Sequence, residues 1–248
     1  MSLIDFHVHI DYYEDFYEKF KYYNNNKIYT LFVTNLPEIY GKCIATFKES
    51  KFVKLALGYN PQFAGTEKFN RNVFNRYLDT TKYIGEVGLD FSKDFIMHKA
   101  KQIEAFEYIA NKSGQHNKIL SIHSRNAEDD VISILKDNKV RFAVFHWYTG
   151  NIGNIKEIAD MGYYFSANSK MLQSNKGISI IKRIPLDRIL IETDGPFTSF
   201  NRKIVTPDKL PDIYAAFSQV LNVKNFDEVV INNLKELLLQ QEQFLNEN

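Results

Sequence analysis

Short runs of β-branched and aromatic residues alternate with amphipathic stretches along the whole chain, a pattern that predicts repeated βα units around a parallel sheet. Eight segments have the length and composition of buried strands: Leu3 to His9, Ile28 to Asn35, Phe52 to Leu57, Tyr83 to Val87, Ile119 to His123, Arg141 to His146, Tyr163 to Ala167 and Arg188 to Glu192. Between them, apolar positions recur with helical period over Tyr13 to Tyr23, Glu38 to Glu49, Glu67 to Leu78, Asp94 to Lys112, Glu128 to Lys136, Ile152 to Met161 and Ile178 to Arg183. Thr206 as a cap and Pro207 in the first turn open a helix over Asp208 to Leu221, and Asp227 to Leu245 reads as a long closing helix. The expected fold is α/β, a single (β/α)8 TIM-type barrel with additional C-terminal helices, spanning 1–248 as one domain. An open doubly wound sheet is the alternative. A barrel makes a sharp demand, because its catalytic groups sit at the C-terminal ends of several strands.

Composition narrows the function classes. A length of 248 residues suits one barrel, since such domains run to about 250 residues. With a net charge of +1, nothing pulls the whole molecule toward nucleic acid or membrane, so any site for a polyanion must be local. Cys43 is the single cysteine, which excludes an internal disulfide framework, suits a reducing compartment and reads as a small core residue. No run approaches the roughly 18 apolar residues of a membrane helix, and Asp5 and His7 interrupt the apolar N-terminal run. A cytoplasmic protein with no membrane partner is expected.

Candidate chemistry collects at the strand ends. His7 and His9 are two residues apart in a strand, so both imidazoles face the same way. Of the six histidines, four fall at such ends: His7 and His9 on strand one, His123 on strand five, His146 on strand six. Glu86 ends strand four within Gly85-Glu86-Val87-Gly88-Leu89-Asp90, and Asp194 follows strand eight within Glu192-Thr193-Asp194-Gly195-Pro196. Four imidazoles with two carboxylates suit Zn²⁺ or Mn²⁺, and the oxygen donors admit Mg²⁺. Six ligands exceed what one catalytic ion takes, whereas two divalent metal ions about 3.5–4 Å apart, bridged by a carboxylate, would use them all. Glu86 is the expected bridge. Asp194 is placed to orient or deprotonate a nucleophilic water, and Glu192 is either a second acid/base group or a partner that orients a histidine. His98 and His116, at the two ends of one helical segment, read as solvated or capping residues.

These motifs, in this order, resemble the TatD-related deoxyribonuclease family of metal-dependent hydrolases. Asp5-Phe6-His7-Val8-His9, Gly85 to Phe91, Ile122-His123-Ser124-Arg125-Asn126-Ala127, His146 with Gly150, Glu192 to Pro196 and Asn232-Asn233-Leu234 carry the resemblance over almost the full length. It implies a metal-dependent DNase, often a 3′→5′ exonuclease on single strands, holding two divalent ions through His7, His9, Glu86, His123, His146 and Asp194. Two motifs depart from the pattern. Gly58-Tyr59-Asn60-Pro61 carries asparagine where the family has histidine, so Asn60 can donate a hydrogen bond but not shuttle a proton. His146-Trp147-Tyr148-Thr149-Gly150 enlarges an aromatic wall. Both departures are similar to the TatD-like member of Qat-type anti-phage cassettes, a resemblance that implies protein partners in a defence cassette.

A DNA substrate would meet further residues at the same barrel end. Trp147, Tyr148, Tyr59 and Phe197 are candidates for base stacking, Arg125 for a substrate phosphate, and Asn60 for another substrate contact, with Lys170, Arg202 and Lys203 extending a basic track. Two other functions compete: a binuclear hydrolase of small amides, lactones or phosphoesters, and a non-catalytic metal-binding component of a defence complex.

Overall fold

Strands buried on both faces belong at the centre of a sheet wrapped by helices, and the eight apolar segments take that place. The computed structural model describes residues 3–47 and 50–246. In chain order the elements are β1 (Ile4–Val8), α1 (Phe16–Asn25), β2 (Tyr29–Val33), α2 (Pro37–Thr46), β3 (Val53–Ala56), α3 (Arg71–Tyr77), β4 (Tyr83–Gly88), α4 (Lys99–Gln115), β5 (Ile119–His123), α5 (Glu128–Asp137), β6 (Phe142–His146), α6 (Ile152–Asp160), β7 (Tyr164–Ala167), α7 (Asn175–Arg183) and β8 (Ile189–Ile191). A short hairpin, β9 (Ser199–Phe200) and β10 (Lys203–Ile204), precedes α8 (Leu210–Leu221) and α9 (Phe226–Asn246).

Parallel ladders join β1-β2-β3 and β4-β5-β6-β7-β8, and two seams complete the ring. At the first seam Leu57 bridges Ile84, with Leu57 N–H donating to Tyr83 O (3.1 Å) and Gly85 N–H to Leu57 O (3.0 Å). At the second, Asp194 N–H donates to His7 O and His9 N–H to Gly195 O, both at 2.9 Å. The buried Asp5 carboxylate reinforces this seam, accepting from Thr193 N (2.7 Å), Thr193 Oγ1 (2.6 Å) and the Tyr23 hydroxyl (2.5 Å). The C-terminal helices close the other end. Tyr214 on α8 hydrogen-bonds the Ile4 backbone, and Asn233 on α9 donates to Leu186 O (2.7 Å) and Ile189 O (2.8 Å).

Differences from the pattern-based expectation lie at helix starts. α1 begins at Phe16 because residues 10–12 form a 3-10 turn and Tyr13 is drawn inward, its hydroxyl donating to Val205 O (2.6 Å). α3 starts only after Asn70, whose side chain caps Val73 N–H (3.2 Å), and α7 starts three residues early because Ser174 caps Gly177 N–H (3.0 Å). The expected end of the second helix, Glu49, lies outside the described residues. The β9–β10 hairpin was not expected: its two turn residues, Asn201 and Arg202, are left-handed without a glycine to announce them. Cys43 is free and buried, and burial pushes its thiol up to about 12. Among the described residues no helix is long and apolar enough to cross a membrane.

Candidate metal centre

Because successive strands deliver their last residues to one rim, His7, His9, Glu86, His123, His146 and Asp194 converge as expected. Glu86 stands at the middle. Its Oε1 is 2.7 Å from His123 Nδ1 and 3.1 Å from His146 Nε2, and its Oε2 is 3.3 Å from His9 Nε2 and 3.9 Å from His7 Nε2. Asp194 Oδ1 lies 3.8 Å from His7 Nε2 and 3.7 Å from His9 Nε2. Three overlapping groups have ligand atoms within 4.8 Å of one another, His7–His9–Asp194, Glu86–His123–His146 and His7–His146–Glu192, and the first two triads take up all six side chains. Glu86 turns one oxygen toward each.

This donor set fits divalent cations. Basic nitrogens approach one another closely, His7 Nε2 to His9 Nε2 at 3.2 Å and His146 Nε2 to His123 Nδ1 at 3.4 Å, a placement of lone pairs that a shared cation satisfies. Charge follows the same logic in the metal-free chain. Burial would raise Glu86, yet the imidazoles of His123, His146 and His9 hold it well below the usual carboxylate range. Burial would lower His146, but Glu192 and Glu86 lift it well above the usual value, and His9 and His123 are raised by their carboxylate neighbours against the same burial. His7, buried and stacked on the His146 ring at 3.9 Å, is lowered. Burial pushes Asp194 up to about 7 against the pull of His146 and His9.

Hydrogen-bond partners behind the triads hold two of the four rings, as is usual for metal-binding histidines. His7 Nδ1 meets Ser121 Oγ at 2.8 Å, and His123 Nε2 meets Asp90 Oδ2 at 2.9 Å. Asp90 is held in turn by Gln62 Nε2 (2.9 Å) and Ser92 N–H (2.9 Å). Asn60 Nδ2 donates to Glu86 Oε2 at 2.7 Å, so it orients the carboxylate at the centre of the site. Glu192, expected either as a second acid/base group or as a partner that orients a histidine, lies behind His146. It is fully buried, 3.5 Å behind His146 Nδ1, and accepts from Asn168 Nδ2 (2.9 Å), Trp147 N–H (3.1 Å) and the Ser166 hydroxyl. Of the two roles expected for Glu192, this position suits the orienting one.

Three backbone positions at the rim are left-handed, Asn126 (φ 54°), Asp194 (φ 47°) and the bulky Trp147 (φ 38°). Such conformations cost of order 1–3 kcal/mol and persist where the surroundings impose them. Here the Glu192 carboxylate and Ser166 O hold Trp147 N–H, and His7 O holds Asp194 N–H.

A cavity of about 740 Å³ opens over the triads. Arg125, Asn60, Trp147 and Phe197 line it, as expected, and the exposed Arg125 guanidinium has no partner among the described residues. Tyr148 does not reach it: the ring is buried against Phe145 and Phe165, and its hydroxyl donates to Asn151 O (2.8 Å). Its substrate role is withdrawn for that reason. Tyr59 is likewise buried, with its hydroxyl on Glu67 O (2.7 Å). Lys170, Arg202 and Lys203 lie outside the lining. Residues missed from the sequence are Asp90, Ser121, Tyr12, Asn35, Gln62 and Lys176. Of these only Asp90 carried a signal, as the last residue of the Glu86 motif. His116 caps the C-terminus of α4, 3.2 Å from Asp79, and His98 precedes its first residue, in keeping with the modest roles expected.

Comparison with known proteins identifies relatives in sequence and in fold. The model of the TatD-related DNase family matches residues 4–239. A metal-dependent hydrolase of Buchnera aphidicola is 32% identical over 214 residues, 80% of each chain. Human deoxyribonuclease TATDN3 is 29% identical over 127 residues, 50% of this chain and 46% of that one. Among solved structures, the TatD homolog YjjV of Escherichia coli superposes with a TM-score of 0.81 at 19% identity, covering 95% of this chain and 97% of that one, and a TatD family hydrolase of Entamoeba histolytica with 0.79 at 17%, covering 96% and 98%. The chain belongs to the TatD-related DNase family of metal-dependent hydrolases.

Proposed function

We propose that the protein is a deoxyribonuclease that hydrolyses phosphodiester bonds at single-stranded DNA ends, in the 3′→5′ direction, with two divalent ions of the Mg²⁺, Mn²⁺ or Zn²⁺ type. The observation that carries this reading is the division of Glu86 between the two triads. His7, His9 and Asp194 would hold one ion, His123 and His146 the other, with Glu86 shared. Bound there, such ions supply a nucleophile at neutral pH and screen the charge of the phosphate. The chain's own groups do the rest. Asp194, in the first triad, accepts the proton of the attacking water. Arg125, unpaired at the cavity edge, binds phosphate oxygens through its fork of donors. The water oxygen joins phosphorus, the bond to the 3′ oxygen breaks, and the leaving oxygen takes a proton, releasing a 5′-mononucleotide. Glu192 keeps His146 in register without touching substrate.

The resemblance to Qat-type cassettes adds protein partners in a cytoplasmic defence complex, a part supported by Asn60 and Trp147 and tested by co-purification with the products of neighbouring genes. The activity itself is tested by incubating purified protein with Mg²⁺ or Mn²⁺ and strands labelled at either end, with chelator and Asp194→Asn as controls. Mononucleotide release abolished in both controls is expected. Cleavage unchanged by either control, or turnover of small esters with intact strands, overturns the reading.

A further inference from the structure

The cavity over the triads has an unusual lining: no aliphatic side chain contributes, and its apolar surface comes from Tyr12, Phe63, Trp147 and Phe197. Two of these rings stand half in solvent, Tyr12 at 44% and Phe197 at 51% exposure. They are ordered all the same. Their centroids are 5.1 Å apart, and both pack edgewise on His9, at 5.8 Å for Tyr12 and 5.0 Å for Phe197. The Tyr12 hydroxyl accepts from Asn35 Nδ2 (2.9 Å), and Phe197 N–H donates to Asp194 O (2.9 Å). Both rings are therefore fixed to the residues that build the first triad.

Across the cavity the chemistry is opposite. Arg125 follows β5, the strand diametrically across an eight-membered ring from β1, which carries His9 and leads into Tyr12. Lys176, at the start of α7, joins it in the lining, where its charge also meets the Glu128 carboxylate, whereas the Arg125 side chain has no partner among the described residues. An aliphatic ligand would want an enclosed apolar wall, which this cavity lacks. What fits is a flat group with a π-face and hydrated edges, attached to an anion. A nucleobase with its phosphate has that form.

We infer that Tyr12 and Phe197 form a stacking ledge for the base of the unpaired nucleotide next to the scissile phosphate, with Arg125 and Lys176 taking phosphate on the facing wall. This rests on the deoxyribonuclease reading and adds the requirement that the base be free. A base paired in a duplex, even at its end, is held by its partner and by stacking, and reaches the ledge only at the cost of unpairing. Stacking on an aromatic side chain is sequence-tolerant, so the ledge selects unpaired ends without selecting a base.

The test uses the full chain in chelator, so that no strand is cut, with 2-aminopurine as the 3′-terminal base of a short single strand. The parent is expected to quench the probe. A Tyr12→Ala, Phe197→Ala double variant is expected to bind the strand about 5- to 100-fold more weakly, without quenching, while Tyr12→Phe, which keeps the ring, retains the quench. Thermal melting checks that each variant is folded. An abasic terminus should bind the parent as weakly as the normal strand binds the double variant, and a probe paired at a blunt duplex end, already quenched by its neighbours, should show no further change on adding the parent. If the parent cleaves single strands but the probe stays bright, or the double variant binds with unchanged Kd, the ledge is refuted and the deoxyribonuclease reading survives. If the parent neither binds nor cleaves any strand, both fall.

Discussion

Replacing Glu86 by glutamine changes one atom, and the structure determines where that atom goes. Asn60 Nδ2 donates to Glu86 Oε2 at 2.7 Å, so the amide oxygen of the variant must stay on that side. The alternative sets two NH2 groups face to face, leaving buried donors unpaired at about 1–3 kcal/mol each. The new NH2 therefore points at His123 Nδ1 and His146 Nε2, in the place where Oε1 now lies at 2.7 and 3.1 Å. A donor there repels a cation, and the Glu86–His123–His146 triad fails while His7–His9–Asp194 keeps its own ligands. Each ion present at 100 times its Kd stabilises the fold by about 2.7 kcal/mol, and for a chain of this size 1 kcal/mol moves Tm by roughly 2–4 °C. The parent should gain on the order of 10–20 °C on going from chelator to saturating Mn²⁺, and Glu86→Gln about half of that. Differential scanning calorimetry with metal analysis of the dialysed protein reads both the shift and the stoichiometry. An unchanged shift with unchanged metal content in Glu86→Gln would refute the bridging argument.

Other expectations follow from the same geometry. A Cβ at Gly58 would lie 1.6 Å from Thr34 O and 2.7 Å from Glu86 N, all backbone, so Gly58→Ala should cost about 3 kcal/mol or more and blunt the metal response; a variant melting within about 2 °C of the parent with full metal response contradicts this. Burial pushes Asp5 from 3.8 up to about 7. The native state then binds more protons than the unfolded chain across that range, so this contribution to stability is complete below pH 3.8 and is lost as pH rises to 7, at on the order of 1 kcal/mol per unit. Urea titrations in chelator at pH 5 and 7 should show the slope in the parent and lose it in Asp5→Asn; parallel pH curves would sink the assignment. Because His9, His123 and His146 are raised in the metal-free chain, binding of Mn²⁺ near neutrality must expel protons. Calorimetry in two buffers of different ionisation heat should report net proton release and an affinity that weakens as pH falls, and identical heats would count against it.

The six converging residues were legible because strand ends in a barrel share one rim, so strand boundaries sufficed to bring distant histidines together. What strand periodicity could not show was the course of the chain beyond each strand. Tyr148, two residues past His146, was expected on the same face, but the left-handed turn at Trp147 sends it into the core between Phe145 and Phe165. Asp90 returns to His123 because Gly88, at φ 135°, lies against the His123 backbone, where a Cβ would meet its carbonyl at 2.0 Å. Tyr12 ends a 3-10 turn that lies just before the expected helix start at Tyr13 and carries no periodic signal of its own. Glu192 shows the limit of motif reading, since spacing left two roles open for it, and only the left-handed backbone at Asp194 separates the two carboxylates, leaving Glu192 behind His146.

The central claim is that one carboxylate serves two ions, and anomalous diffraction from crystals grown in Mn²⁺ addresses it directly. Two peaks are expected about 3.5–4 Å apart, one beside Glu86 Oε1 with His123 and His146, the other beside Oε2 with His7, His9 and Asp194. A single peak, or peaks that do not share Glu86, would contradict the account.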